Sequence, residues 1–419
     1  MLNAIQKTEE ALRLAEKLGG RNGLNCIAEL DPTAMQQAQT LDSSSGREEL
    51  LLSGMPVLVK DNIDVCGLHT TAGSLALADN IALSDAPVIA NLRKRGAVII
   101  GKTNMTEFAN YTTQGMPGGY SSRGGMVIHA ADPSLSPSGS SSGSAVAVAA
   151  GIVPAAVGTD TSFSVIACAQ DNGICGVKPP AGTLPADGMI PIARTLDSAG
   201  TMAKDLPTAL RLYSAMRDEL LPQIDPLPVQ TMRIAINTAN LDMVSPKQRS
   251  YCDRTVALLR ARGASVSEVL QEYSPHQRTI MQWEFKPHLE EYLHASSASR
   301  KTLAEIVAFY EENPECMKYG ITLLKQALCE TPGGLQSAVY RDAMEKRKTE
   351  QFKAAQLLAP YDAVIMTGHT NIMHYCGMPS VCIAGKEKNE HGFSRCLILY
   401  GIDEYRLYSA AMTVEQLLP

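Results

Sequence analysis

The stretch from Pro137 to Pro179 constrains this chain more than any other. It opens with Ser138-Gly139-Ser140-Ser141-Ser142-Gly143-Ser144, continues through the small apolar segment Ala145–Gly151, and passes into Ile152-Val153-Pro154-Ala155-Ala156-Val157. A second polar turn follows, Gly158-Thr159-Asp160-Thr161-Ser162-Phe163-Ser164, and Gly176-Val177-Lys178-Pro179 closes the stretch. Gly/Ser runs are commonly flexible linkers. A linker, however, does not lead into a small-residue helix and then an apolar strand ending in another serine-rich turn. A Ser/Gly run that opens a helix gathers unpaired N–H groups and the positive end of the helix dipole at one point. The run reads as a functional loop.

Upstream, Pro56-Val57-Leu58-Val59 is short, apolar and bounded by turn residues, the mark of a buried strand, and it ends in Lys60-Asp61-Asn62. Lysine is seldom fully buried without a partner. Taken alone, Lys60 reads as a snorkelling or salt-bridged side chain with Asp61 beside it. Taken alone, each serine of the two turns reads as a turn residue or a helix cap.

Six segments, in order and spacing, resemble the amidase-signature family of serine amidohydrolases. Gly54–Asn62 is similar to the family's strand carrying the catalytic lysine. Thr70–Ser74 and Gly101–Phe108 match the next two landmarks, and Ser138–Ala145, Gly158–Ser164 and Gly176–Pro179 match the rest. The resemblance covers about residues 51–206, with weaker echoes at Asn371–Ser380 and Gly401–Ala411. It implies an α/β fold, the amidase-signature fold, with a large mixed β-sheet covered by helices on both faces. It also implies one amidase domain over residues 1–419, with the signature core at 51–206 and a variable helical region at 275–358 that shapes the substrate pocket.

The matching positions imply Ser164 as nucleophile, Ser140 as the bridging serine after a cis peptide bond from Gly139, and Lys60 as the base. Backbone N–H groups of Thr161, Ser162, Phe163 and Ser164 are the implied oxyanion hole. Ser141 is expected to support Ser140 by hydrogen bonding, and Asp160 to fix the turn before the nucleophile. Lysine titrates near 10.4 when free, so Lys60 must be shifted down by desolvation and by the nearby helix end to accept a proton. No histidine is required, and His69, His369 and His374 read as structural or pocket-lining.

Three departures stand out. Ser162-Phe163-Ser164 replaces the family's Gly-Gly-Ser, Ile166 stands where arginine is common, and Ser138 replaces the first glycine of the serine loop. A phenylalanine at position 163 must either take an ordinary conformation, turning an N–H away from the oxyanion, or hold a strained one with its ring over the acyl site. The leading expectation is an amidohydrolase cleaving a carboxylic amide. The alternative is an amidotransferase subunit or a catalytically weakened, amidase-like binding protein.

Composition narrows the partners. The chain has 419 residues, with Lys+Arg 37 against Asp+Glu 43, a net charge of −6, which does not favour nucleic acid or an anionic membrane. No run approaches eighteen uninterrupted apolar residues, so no membrane span is expected. The first ten residues are amphipathic and charged rather than a signal peptide. The ten cysteines are scattered without a C-x-x-C pair, which points to reduced thiols in a cytoplasmic protein and to no metal site. A small-molecule amide is the expected partner, no cofactor is expected, and a homodimer is left open.

Patterning predicts helices at 3–19, 86–95, 251–262 and 404–413. Strands are predicted at 25–30, 56–59, 97–100, 232–237, 265–270, 363–366 and 381–384. Residues 36–45 drift into a polar loop, 187–203 read as irregular, and 275–358 read as mostly helical with breaks at Asn313-Pro314 and Pro332–Gly334.

Overall fold

Both faces of one large sheet are covered, which explains why its strands read as short apolar runs rather than as alternating ones. The computed structural model describes residues 2–46 and 49–418. Its strands in chain order are β1 (Ile27–Leu30), β2 (Met55–Lys60), β3 (Ala97–Thr103), β4 (Tyr120–Ser121), β5 (Gly125–Met126), β6 (Ala155–Asp160) and β7 (Cys175–Lys178). They continue with β8 (Ser198–Ala203), β9 (Arg233–Asn237), β10 (Ser265–Val269), β11 (Ala363–Met366), β12 (Ser380–Lys388) and β13 (Ser394–Tyr400). Eleven of them form one sheet in the order β1-β3-β2-β6-β8-β7-β12-β13-β11-β9-β10, and β4 and β5 form a separate ribbon. The sheet is mixed: β3, β2 and β6 run parallel, as do β11, β9 and β10, and the other pairs are antiparallel.

Side chains alternate between two cores with the period of two that a strand imposes. Leu58 of β2 enters one core, and its neighbours Val57 and Val59 enter the other. The first core is closed by helices Ala4–Leu14, Ala34–Ser43, Ser142–Ala149 and Ile166–Asp171 and by the helices between His276 and Leu358. The second is closed by helices Pro87–Lys94, Leu206–Met216, Pro246–Ala261 and Glu404–Leu417. No helix among the described residues is long and apolar enough to cross a membrane.

Several elements differ from the sequence reading, three of them in the sheet or in a helix that covers it. The expected polar loop at 36–45 is a helix from Ala34 to Ser43 that buries Ala34 and Ala38. Small residues carry little apolar signal, so its buried stripe is hard to see in sequence. The expected irregular stretch 187–203 ends in β8, wholly buried and paired on both sides by β6 and β7. Its sequence Ser-Ala-Gly-Thr-Met-Ala has weak strand propensity, so burial between neighbours overrides it. Strand β13, which had no counterpart in the reading, pairs β12 along its length.

The pairing that positions the site is β2 beside β6, with Val57 opposite Ala155 and Val59 opposite Val157. Lys60 at the end of β2 therefore lies next to the Gly158–Thr159 end of β6. Helix Ser142–Ala149 packs over both strands on the face of Leu58. Its approach depends on Gly143, whose N–H donates to the Asn104 carbonyl at 3.0 Å. A β-carbon on Gly143 would run into the Asn104 carbonyl oxygen and come within 2.6 Å of the Cys26 carbonyl oxygen. Gly143→Ala should cost about 1–3 kcal/mol of stability despite alanine's better helix propensity. Thermal melting checks this, and an unchanged melting temperature contradicts the close packing.

Candidate active site

Lys60 is fully buried and projects from β2 toward the serine loop. Its Nζ lies 2.7 Å from Ser140 Oγ, and Ser140 Oγ lies 3.1 Å from Ser164 Oγ. The Gly139–Ser140 peptide is cis. Ser140 is also fully buried, whereas Ser164 keeps 6% of its surface exposed, which makes it the end of this chain of groups that a ligand can reach. Burial pushes the Lys60 amine down from its ordinary 10.5 to about 7, against the opposing pull of Cys168, Asp160 and Asp197. Asp61 does not pair with it. Its carboxylate lies 3.8 Å from Lys102 Nζ and 3.6 Å from Arg123, and also takes the Thr71 hydroxyl.

Thr159 was not singled out in sequence, yet it supplies both other partners of the lysine. Lys60 Nζ is 2.8 Å from Thr159 Oγ1 and 3.3 Å from the Thr159 carbonyl oxygen. A neutral amine has two N–H bonds and one lone pair. If Thr159 accepts both N–H bonds, the lone pair is left for Ser140. Asn62 steadies Thr159 by donating to its Oγ1 at 3.0 Å. The Ser141 hydroxyl donates to the Thr159 carbonyl at 3.1 Å and accepts its N–H at 3.3 Å, so among the described residues it bonds the residue that holds Lys60 and not Ser140 itself.

Asp160 receives the N–H groups of Val165 at 2.7 Å and Ile166 at 3.3 Å through one oxygen, tying down the turn that carries Ser164. Its other oxygen lies 3.0 Å from His374 Nδ1. Burial opposes its ionisation, but His374, Lys178 and the Val165 amide outweigh that and hold it at about 2. The turn is pinned at its start as well. The Thr161 hydroxyl donates to Asp197 at 2.5 Å, and Gln277 donates to the Thr161 carbonyl at 3.0 Å. Gln277 accepts from Asn371 at 2.6 Å. The N–H groups of Ser162, Phe163 and Ser164 have no acceptor among the described residues. Those residues contain no group of three or more His, Cys, Asp or Glu able to hold a metal.

The sequence model of the family described as Amidase matches residues 8–374. The chain belongs to the amidase family. A mandelamide hydrolase of Pseudomonas putida is 34% identical over 282 residues, 65% of this chain and 55% of that protein. A glutamyl-tRNA(Gln) amidotransferase subunit from Streptococcus pneumoniae is 36% identical over 252 residues, 59% of this chain and 48% of that protein. The chain thus spans about half the length of these two curated relatives. The native peptide amidase of Stenotrophomonas maltophilia has a similar structure, with a TM-score of 0.90 at 29% identity, over 99% of this chain and 93% of that one. The expected fold is therefore the one observed.

Within this amidase-family chain, two of the three positions that depart from glycine keep a glycine-like backbone. Ser138 has φ 62 and Phe163 has φ 69. Of the two options for Phe163, the strained one is adopted. Its half-buried ring packs on His369, with centroids 5.3 Å apart, and on His374, 4.2 Å apart. His69 is remote from this contact and pairs with Glu29 at 3.0 Å.

The lowered pKa of Lys60 has a consequence for stability. The unfolded chain holds this proton more tightly than the folded one, so folding is penalised in full below about pH 7 and the penalty fades as pH rises from about 7 to 10.5. Lys60→Met should raise stability by about 2 kcal/mol at pH 6, less than the whole shift implies because hydrogen bonds are lost. The gain should shrink toward pH 10. Chemical denaturation at both pH values checks the sign, and a gain that grows with pH contradicts it.

Proposed function

We propose that this chain hydrolyses a carboxylic amide C–N bond through an acyl-enzyme on Ser164. The observation that carries the reading is the continuous path from Lys60 Nζ to Ser140 Oγ at 2.7 Å and on to Ser164 Oγ at 3.1 Å, ending in a buried amine held near neutrality. Neutral Lys60 takes the proton of Ser140 as Ser140 takes that of Ser164, and the Ser164 oxygen attacks the amide carbonyl. The N–H groups from Thr161 to Ser164 receive the oxyanion, an arrangement in which one donor is worth about 2.7–4 kcal/mol. Collapse of the tetrahedral intermediate breaks the C–N bond while the proton returns through Ser140 to the leaving nitrogen. Water then enters by the same relay, releases the acid and restores Ser164.

The substrate class is a small-molecule amide. Mandelamide and peptide amides are the first candidates, because similar proteins are named mandelamide hydrolase and peptide amidase. The helical region at 275–358 is taken to shape the pocket, within one amidase domain over residues 1–419, acting in the cytoplasm. Likeness to an amidotransferase subunit keeps a second reading, in which ammonia passes to a partner. Ammonia or amine release by the isolated chain, with no added acceptor or partner, separates the two in favour of hydrolysis.

The nucleophile assignment has its own test. A fluorophosphonate should label the wild-type chain and the Ser162→Ala variant, and labelling should be lost in Ser164→Ala. Labelling that survives Ser164→Ala removes the mechanism.

A further inference from the structure

Phe163 poses a problem that the three catalytic groups do not solve. Its φ of 69 is one that glycine adopts freely and that a side chain disfavours. Its N–H is among those left unpaired in the nucleophile turn. If the residue relaxed toward negative φ, that N–H would swing and the oxyanion site would be lost. The restraint comes from outside the turn. The phenyl ring is nearly parallel to the His369 imidazole, at 19° with centroids 5.3 Å apart, and meets His374 at 56° and 4.2 Å. His369 is itself stacked on Tyr273 at 6.3 Å and 20°. Its ring makes no hydrogen bond to the described residues, while its carbonyl is held by Asn240 at 2.9 Å. His374 is fully buried, with its Nδ1 3.0 Å from a carboxylate oxygen of Asp160, the residue that also holds the N–H groups after Ser164. Two imidazoles thus pack against the ring of Phe163, whose backbone is one of those held at positive φ.

We infer that His369 and His374 are positioning residues: by seating the Phe163 ring they hold the oxyanion turn in the glycine-like conformation where this chain has no glycine. The inference rests on the Ser164 amidohydrolase reading, and it predicts that the histidines matter only while Phe163 is present. This dependence separates it from the other role open to His369, which also lines a cleft of about 330 Å³ with Gln170, Met366 and Arg395 and could touch a ligand there.

The test is a double-mutant cycle on the full chain, read as the second-order rate of fluorophosphonate labelling at Ser164. When Ser164 attacks phosphorus, an O–P bond forms, fluoride leaves, and the phosphoryl oxygen occupies the oxyanion position, so the rate reports the turn without knowledge of the natural amide. His369→Ala should slow labelling about tenfold or more, and His369→Phe, which keeps an aromatic face, should stay within about threefold of wild type. In the Phe163→Gly background, adding His369→Ala should change the rate by less than about threefold. His374→Gln, which keeps a donor for Asp160 but removes the ring, should repeat the pattern and serves if His369→Ala does not fold. Equal slowing in both backgrounds, or no slowing in either, overturns the inference. A wild-type chain that does not label at Ser164 overturns the hydrolase reading and this inference with it. Because that result appears before any histidine is changed, the two failures are distinguishable.

Discussion

A lysine amine held out of water without a carboxylate bonded to it is the constraint on which the rest of this site depends. Three lysines are fully buried among the described residues, Lys60, Lys102 and Lys178. Lys102 has Asp61 at 3.8 Å, and Lys178 donates to the carbonyls of Met378 and Pro179 while feeling the charge of Asp160. Among the described residues Lys60 bonds only the neutral oxygens of Ser140 and Thr159. Desolvation accordingly brings it to about 7, lower than the value of about 8 reached by Lys178. A charged group in such a place destabilises the fold, and natural proteins accept that mainly where chemistry requires it. The sheet supplies the burial, because β2 is flanked on both sides and covered on both faces. Helix Ser142–Ala149 supplies the lid, and Gly143 allows it to approach.

Around the lysine, the backbone is more faithful to the amidase pattern than the residues are. Ser138 and Phe163 stand where glycine is usual, and both keep a positive φ. Such conformations cost about 1–3 kcal/mol each and persist only where surrounding contacts over-determine them. For Phe163 those contacts are visible as two imidazoles. Asp160 links one of them, His374, to the turn of Ser164, because its carboxylate meets His374 on one side and the Val165 and Ile166 amides on the other.

Much of this was legible in the sequence, for physical reasons that differ by element. Lys60, Ser140 and Ser164 lie in local segments whose order and spacing resemble one family, and the structure brings the three together. Asp160 was legible because it acts on residues five and six positions away. The strands β2, β3, β9 and β11 were legible because burial on both faces makes them apolar runs. Strand β8 was not, since its small residues fit between neighbours instead of advertising a core. Thr159 was passed over because a threonine in a polar turn has an ordinary local explanation, and its contact with Lys60 spans 99 residues. Gln277, Asn371 and the imidazoles of His369 and His374 reach the turn only through tertiary packing, which no local pattern encodes.

The central claim is that Lys60 is neutral near physiological pH, and it can be measured on the amine itself. Protein carrying lysine labelled with carbon-13 at the ε position can be titrated by NMR, with the Lys60 resonance assigned by its loss in Lys60→Met. The account predicts a transition near pH 7, well below the ordinary value of 10.5. A Lys60 resonance that stays protonated through pH 10 would contradict it, because a lysine that keeps its proton cannot start the relay through Ser140 to Ser164.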